Sequence, residues 1–181
     1  MFGWFRREAA RPGTALAMIG ARASDHVLFL GARDASVAAE SGTITRLNGR
    51  TVVVGRGEDD AARADQAAAK AGAIVEFVDA PLTELPFAAS TFKIVVIHNL
   101  AMGSTETTST LGEATRVLQP GGRIILMFGE TARGVFGSLN PPPPPESDSV
   151  VNLLIRAGLV AARRLAVSEG VTYFEARKAR D

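Results

Sequence analysis

Five short apolar runs recur along this chain with helix-compatible segments between them: VLFLG at 27–31, TVVVG at 51–55, IVEFV at 74–78, KIVVI at 93–97 and RIILMF at 123–128. That alternation constrains the fold more than any other feature. Strands joined by helical crossovers pair in parallel, and four of the five runs are continuously apolar, as strands covered on both faces are. The pattern predicts an α/β architecture built on a doubly wound, mostly parallel sheet.

The intervening segments carry helix punctuation. Asp59 and Asp60 open an alanine-rich stretch that closes on Lys70 and Gly72, with acids at the positive end, a cation at the negative end and glycine at the C-cap. Thr110 and Glu113 have capping-box spacing ahead of the apolar face Leu111, Ala114, Val117 and Leu118, and Pro120-Gly121-Gly122 reads as the stop. Further helices are expected over 14–21 and 149–157, the latter followed by Gly158. At the end, LVAARRLA and VTYFEARK flank Ser168-Glu169-Gly170 and predict an antiparallel hairpin; Glu76 and Glu175 lie inside strand patterns and read as exposed or hairpin residues rather than catalysts. The organisation is therefore a tail and short helix over 1–25 and one domain over 26–181, with a proline-rich loop at 129–148. Pro141 to Pro145 suit a stiff connector, or a ligand for a polyproline-binding partner.

Composition removes several function classes. The chain has 181 residues, 46% hydrophobic, with a formal charge of +1, so no electrostatic case exists for nucleic acid. It has no cysteine, which excludes thiolate metal sites and cysteine nucleophiles, and only His26 and His98 as imidazoles; no metal site is expected. The opening MFGWFRREAARPG places aromatics before arginines, the reverse of a secretory signal, and no apolar run approaches the roughly 18 residues of a membrane span. A cytoplasmic location is expected. Phe2, Trp4 and Phe5 beside Arg6 and Arg7 suit a partner groove or a membrane surface, or simply pack on the chain itself.

Two longer stretches narrow the reading. DAPLTELPFAASTFKIVV and LGEATRVLQPGGRIILM resemble the strand-three to strand-four region and the Arg-Val-Leu-x-Pro-Gly-Gly turn of class I S-adenosylmethionine-dependent methyltransferases of type 11. With the strand spacing, the resemblance spans about residues 25–178. It implies a Rossmann-like methyltransferase fold, S-adenosylmethionine as cofactor, and ligand binding at the carboxyl ends of the strands.

Residue by residue, the resemblance implies a cofactor site at Gly31, Ala32, Arg33, Asp34, Gly55, Arg56, Asp79, Ala80, His98 and Asn99, with no catalytic side chain assigned. Several positions depart from the family pattern. Phe29 stands where the first strand usually carries an acid, and of the three glycines of the following turn only Gly31 is kept, Arg33 and Ala35 replacing the others. The second strand usually ends in a carboxylate that accepts hydrogen bonds from both ribose hydroxyls; here Gly55 occupies that place, with Glu58 the nearby acid able to reach back. Asp79 and Ala80 match the family's adenine-side pair. His98-Asn99 corresponds to the segment beside the reactive methyl, where His98 is either a general base or, the favoured expectation, a satisfied structural ring. Lys93 replaces a common aspartate.

Two functions from different classes follow. One is an S-adenosylmethionine-dependent methyltransferase with an unknown acceptor. The alternative is a catalytically inactive methyltransferase-fold chain that serves as a binding or assembly subunit with a partner protein, as the altered turn suggests. A variant of the second has Arg33 and Arg56 holding a phosphate or carboxylate.

Overall fold

The computed structural model describes residues 12–129 and 144–180. The aromatic N-terminal cluster and most of the proline-rich loop lie outside them. The order of elements is α1 (Pro12–Ile19), β1 (His26–Leu30), α2 (Ala35–Thr45), β2 (Arg50–Gly55), α3 (Gly57–Ala71), β3 (Glu76–Asp79), β4 (Phe92–His98), α4 (Thr105–Val117), β5 (Leu118–Phe128), α5 (Ser147–Arg156), β6 (Leu159–Ser168) and β7 (Val171–Lys178). A single turn of 3₁₀ helix, Ala32–Asp34, joins β1 to α2.

The seven strands form one sheet in the order β3-β2-β1-β4-β5-β7-β6. β1 to β5 are parallel, and β7 runs antiparallel between β5 and β6. This is the predicted doubly wound architecture with its terminal hairpin. The continuity of the apolar runs has a direct cause. Leu28, Leu30, Val52, Val54, Val95, Ile97, Ile124 and Leu126 pack on the face that receives α4 and α5, while Val27, Phe29, Val53, Ile94, Val96, Ile125 and Met127 pack on the face that receives α1 and α2. With both faces covered, neither parity of side chain can be polar.

Several local expectations shift. α4 does not begin at Thr110; its N-cap is Ser104, whose hydroxyl accepts from Thr107 N at 3.1 Å, and Thr110 is a buried residue inside the helix. Glu113 is drawn elsewhere: its carboxylate accepts from Leu85 N at 2.7 Å and from Arg116. Arg116 in turn donates to the carbonyls of Phe87 and Leu85 at 2.7 and 3.0 Å. The Leu-Pro-Phe and Arg-Val-Leu segments are thus two halves of one clamp.

Pro120-Gly121-Gly122 acts as the stop from a short distance, lying inside the strand that follows. α4 ends at Val117, Leu118 is already extended, and the Pro-Gly-Gly segment lies inside β5 where the register against β4 shifts between Phe92 and Ile94. Proline drives its predecessor towards extended backbone, so the helix must end before Gln119. The orphan carbonyls at the end of α4 are met by Lys178 from β7, whose ammonium donates to Thr115 O at 2.9 Å and Leu118 O at 2.8 Å.

Of the two alternatives for Glu175 the structure shows the hairpin residue, and it is buried, at 3% accessibility. It faces Arg163 at 3.1 Å, Arg177 at 3.2 Å and Arg123 at 3.5 Å, and Arg123 also donates to Met18 O and Ile19 O at the end of α1. A charge inside a strand pattern is tolerated here because three guanidiniums surround it. Glu76 is exposed as expected and pairs with Arg50 at 2.7 Å. α1 and α5 begin two residues earlier than expected, and Gly72 caps α3 in the left-handed conformation as predicted. No helix among the described residues is long and apolar enough to cross a membrane.

Two predictions follow from the packing. A Cβ at Gly122 would lie 2.8 Å from Gln119 O and 2.9 Å from Lys93 O, both backbone atoms. Gly122→Ala therefore lowers unfolding free energy by about 1–3 kcal/mol in urea titration, in the range of other overpacking substitutions. The second concerns acid. Hydrogen bonding to Arg116 holds the Glu113 carboxyl below its ordinary value of 4.5, assisted by Leu85 N and opposed by burial. A depressed carboxylate contributes stability that is full above 4.5 and is lost as pH falls through the lowered folded value. Glu113→Gln accordingly flattens the acid limb of the stability profile, measured by denaturation from about pH 2 to about pH 6, which brackets carboxyl titration.

Candidate functional site

A cleft of about 400 Å³ opens where β1 and β4 diverge at their carboxyl ends. Open α/β sheets place ligands at such a reversal of strand order, and the volume lies within the usual range for small-molecule sites. Its floor is Leu30, Gly31, Ala32, Arg33 and Ile97 to Ala101; one wall is Asp60, Arg63 and Leu82, and the other is the start of α4.

Gly31 leaves β1 with φ of +97°, and a Cβ there would meet nothing within 4 Å. Its N–H still donates to Val54 O at 2.8 Å, so β1 holds its ladder to β2 up to the turn and bare backbone then faces the cleft. Only glycine adopts that conformation without strain. In the 3₁₀ turn, Ala32 and Asp34 are buried and Arg33 is exposed on the cleft rim. Ala35, at the third glycine position, is buried as the first residue of α2. Phe29, at the acidic position, belongs to the core on the α1–α2 face and takes no part in the cleft lining. The replaced glycines therefore leave the cleft open.

Of the ten sequence-derived positions, the cleft gathers Gly31, Ala32, Arg33, His98 and Asn99. Asp34, Gly55, Arg56, Asp79 and Ala80 do not line it. Asp34 turns beneath the chain to His98, whose Nδ1 lies 2.5 Å from Asp34 Oδ2, both side chains being about 96% buried or more. Asp79 accepts from Gly57 N at 3.2 Å and so orders the entry to α3. Ala80 N donates to Gly55 O at 3.2 Å, extending the β2–β3 ladder past the strands. Arg56 precedes α3, and its N–H donates to Asp60 Oδ2 at 2.9 Å. Glu58 is exposed and does not reach back.

His98 Nε2 donates to Gly129 O at 2.7 Å, since a carbonyl can only accept. With the Asp34 carboxylate beside Nδ1, the ring has oxygen at both ends, although only the Nε2 contact is a hydrogen bond of ordinary geometry. Asn99 is likewise engaged: its amide donates to Gly129 O and accepts from Gly129 N, both at 2.9 Å, while φ of +50° suits asparagine's tolerance of left-handed backbone. The ends of β1, β4 and β5 are thereby bolted together beneath the cleft.

Residues that sequence reasoning passed over include Asp60, Arg63, Leu82, Ser104, Glu106 and Thr107. Asp60 had appeared only as a helix-opening acid. Ser104 and Thr107 bond each other at 2.8 Å at the start of α4, and Thr107 Oγ1 also donates to Ala101 O. Ser104 has an ordinary N-cap signature, three residues before Thr107, which the later Thr110-x-x-Glu113 spacing obscured. No cluster of three or more metal-ligating side chains occurs among the described residues.

Breaking a buried pair by removing one partner leaves the other uncompensated, which costs about 3–5 kcal/mol. Asp34→Ala destabilises by that order in urea denaturation, and the Asp34→Ala, His98→Leu double variant loses less than the sum of the two single variants.

The comparisons agree with this geometry. The chain aligns at a TM-score of 0.78 with an S-adenosylmethionine-dependent methyltransferase from Aquifex aeolicus, at 18% identity over 97% of this chain and 93% of that one. It aligns at 0.72 with the [4+2]-cyclase SpnF, at 13% identity over 94% and 80% of the respective chains. The YcgJ protein of Bacillus subtilis aligns at 0.64, with 14% identity over 94% and 98%. At these identities the likeness is one of fold. No curated protein sequence matches the chain. The family model described as a methyltransferase domain matches residues 35–126, about half of the chain. From the second helix to the fifth strand, the segment that carries both the cleft wall and the Pro-Gly-Gly bulge, this chain belongs to the class I S-adenosylmethionine-dependent methyltransferase family.

Proposed function

We infer that the chain is an S-adenosylmethionine-dependent methyltransferase that holds its cofactor in the cleft above Gly31. The observation that carries this reading is the open cleft itself. Bare backbone at Gly31 faces about 400 Å³ of space in spite of Arg33 and Ala35, and an acid, Asp60, stands on its wall. These features fit the group: glycine backbone admits close approach, and a carboxylate accepts from hydroxyls. Gly31, Ala32 and Arg33 would hold the amino-acid end, and Asp60 and Leu82 the nucleoside end.

When bound, S-adenosylmethionine supplies an electrophilic methyl group on a sulfonium. The chain's own part is to bind, orient and exclude water. Its imidazole lies between the Asp34 carboxylate and Gly129 O, which favours a part for His98 in fixing the floor of the site over one as a base. Transfer then depends on proximity and alignment, which contribute substantially without a side-chain base. An acceptor that is nucleophilic as it arrives suits such a site.

The alternative of an inactive binding subunit draws on the missing glycines. The unobstructed backbone at Gly31 favours the cofactor-binding reading. Isothermal titration with S-adenosylmethionine and S-adenosylhomocysteine is the test: saturable binding is expected, and absence of heat together with absence of a thermal shift at millimolar ligand overturns it. Gly31→Val, which puts a branched side chain at φ of +97° on the cleft floor, is expected to weaken that binding at least about tenfold, equivalent to about 1.4 kcal/mol.

A further inference from the structure

Gly55 and Asp60 form a spatial pair that neither position announces alone. A Cβ built on Gly55 would lie 2.8 Å from Asp60 Oδ2, 2.9 Å from Asp60 Cβ and 2.9 Å from Phe77 Cε2. The Asp60 carboxylate, reaching back from the first turn of α3, occupies the space that a side chain at the end of β2 would fill. Any residue larger than glycine at position 55 displaces it.

Two contacts hold the carboxylate there. Oδ2 accepts from Arg56 N at 2.9 Å and Oδ1 from Arg63 Nη1 at 3.0 Å. A carboxylate offers about four acceptor directions, two on each oxygen. Among the described contacts one direction on each oxygen is used, so one on each remains. Asp60 and Arg63 both line the cleft. An acid in the first turn of a helix ordinarily serves the helix dipole. Glu58 and Asp59 already serve that end of α3, and both are exposed. Asp60 differs in being fixed by a backbone N–H and by a guanidinium on the next turn of α3, with its side chain 26% exposed at the cleft wall.

A fixed carboxylate with one open acceptor direction on each oxygen matches two adjacent hydroxyl donors. We propose that Asp60 is the ribose-recognising residue of this cleft: its carboxylate accepts from the vicinal hydroxyls of the bound nucleoside, and with the Phe77 ring it fills the space that a side chain at position 55 would need. The assignment rests on the reading that the cleft takes S-adenosylmethionine. Arg63 is a positioning residue, held to Asp60 by a solvent-facing ion pair that adds little stability by itself.

The test is isothermal titration of S-adenosylhomocysteine and of its 2′,3′-dideoxy counterpart into the wild-type chain, Asp60→Asn and Asp60→Ala. Hydrogen bonds to a charged group predict that the wild-type chain prefers the diol form by about 10- to 100-fold. Asp60→Asn and Asp60→Ala are expected to lose most of that preference while binding the dideoxy probe as the wild type does. Binding of the dideoxy probe also shows that each variant is folded. Wild-type binding of both probes with equal affinity overturns the assignment and leaves the cofactor reading standing, and so does an undiminished preference in the Asp60 variants. Wild-type binding of neither probe overturns both.

Discussion

The parallel pairing of β1 with β4 is the constraint on which the rest of this structure depends. β1 lies between β2 and β4, so the chain leaves β1 towards one edge of the sheet and returns at β4 to build towards the other. Right-handed crossovers then send α2 to one face and α4 to the opposite one. The buried residues of the two helices accordingly fall in different cores, Val37 and Ala38 with the α1–α2 face, Leu111, Ala114 and Val117 with the other. A crevice between the exits of β1 and β4 is a geometric consequence of that division. The cleft exists before any particular side chain is chosen to line it.

What lines it divides into a rigid floor and an adaptable wall. Asp34, His98, Asn99 and Gly129 spend their polar groups on one another, which fixes three strand ends relative to each other. Polar networks that are internally satisfied rigidify a site and have little left for a ligand. The wall from α3 and α4 carries Asp60, Arg63, Ser104 and Glu106 with more solvent access, and it is there that recognition has room to vary. A reaction that requires alignment more than proton transfer suits a floor of this kind.

Much of the fold was legible because burial on both faces of a parallel sheet leaves an unambiguous mark, a run of Val, Ile and Leu with no alternation. Gly72 was legible for a similar reason, since a left-handed cap restricts residue choice strongly. α2 left little punctuation: its N-cap makes no side-chain hydrogen bond, and Gly42, where a Cβ would lie 3.0 Å from Ile74 O, sits in its interior for packing. The Thr110–Glu113 spacing misled because Glu113 finds better partners, Arg116 one turn on along α4 and Leu85 N from a loop 28 residues away in the chain. Glu175 misled because its partners, Arg123 and Arg163, sit on strands brought beside it only by the hairpin.

The sequence by itself determined the sheet and the terminal hairpin, which follow from local propensity and periodicity, while the expectation of a ligand turn at Gly31 came from the resemblance to the methyltransferase family. Only the tertiary structure decided that Arg33 lies on the rim, that Asp34 and His98 are spent on each other below the cleft, and that Asp60 fills the space above Gly55. Whether a polar side chain meets a ligand or another side chain depends on contacts between elements far apart in sequence. Those distances are set when the β1 and β4 ends come together, and no spacing along the chain encodes them.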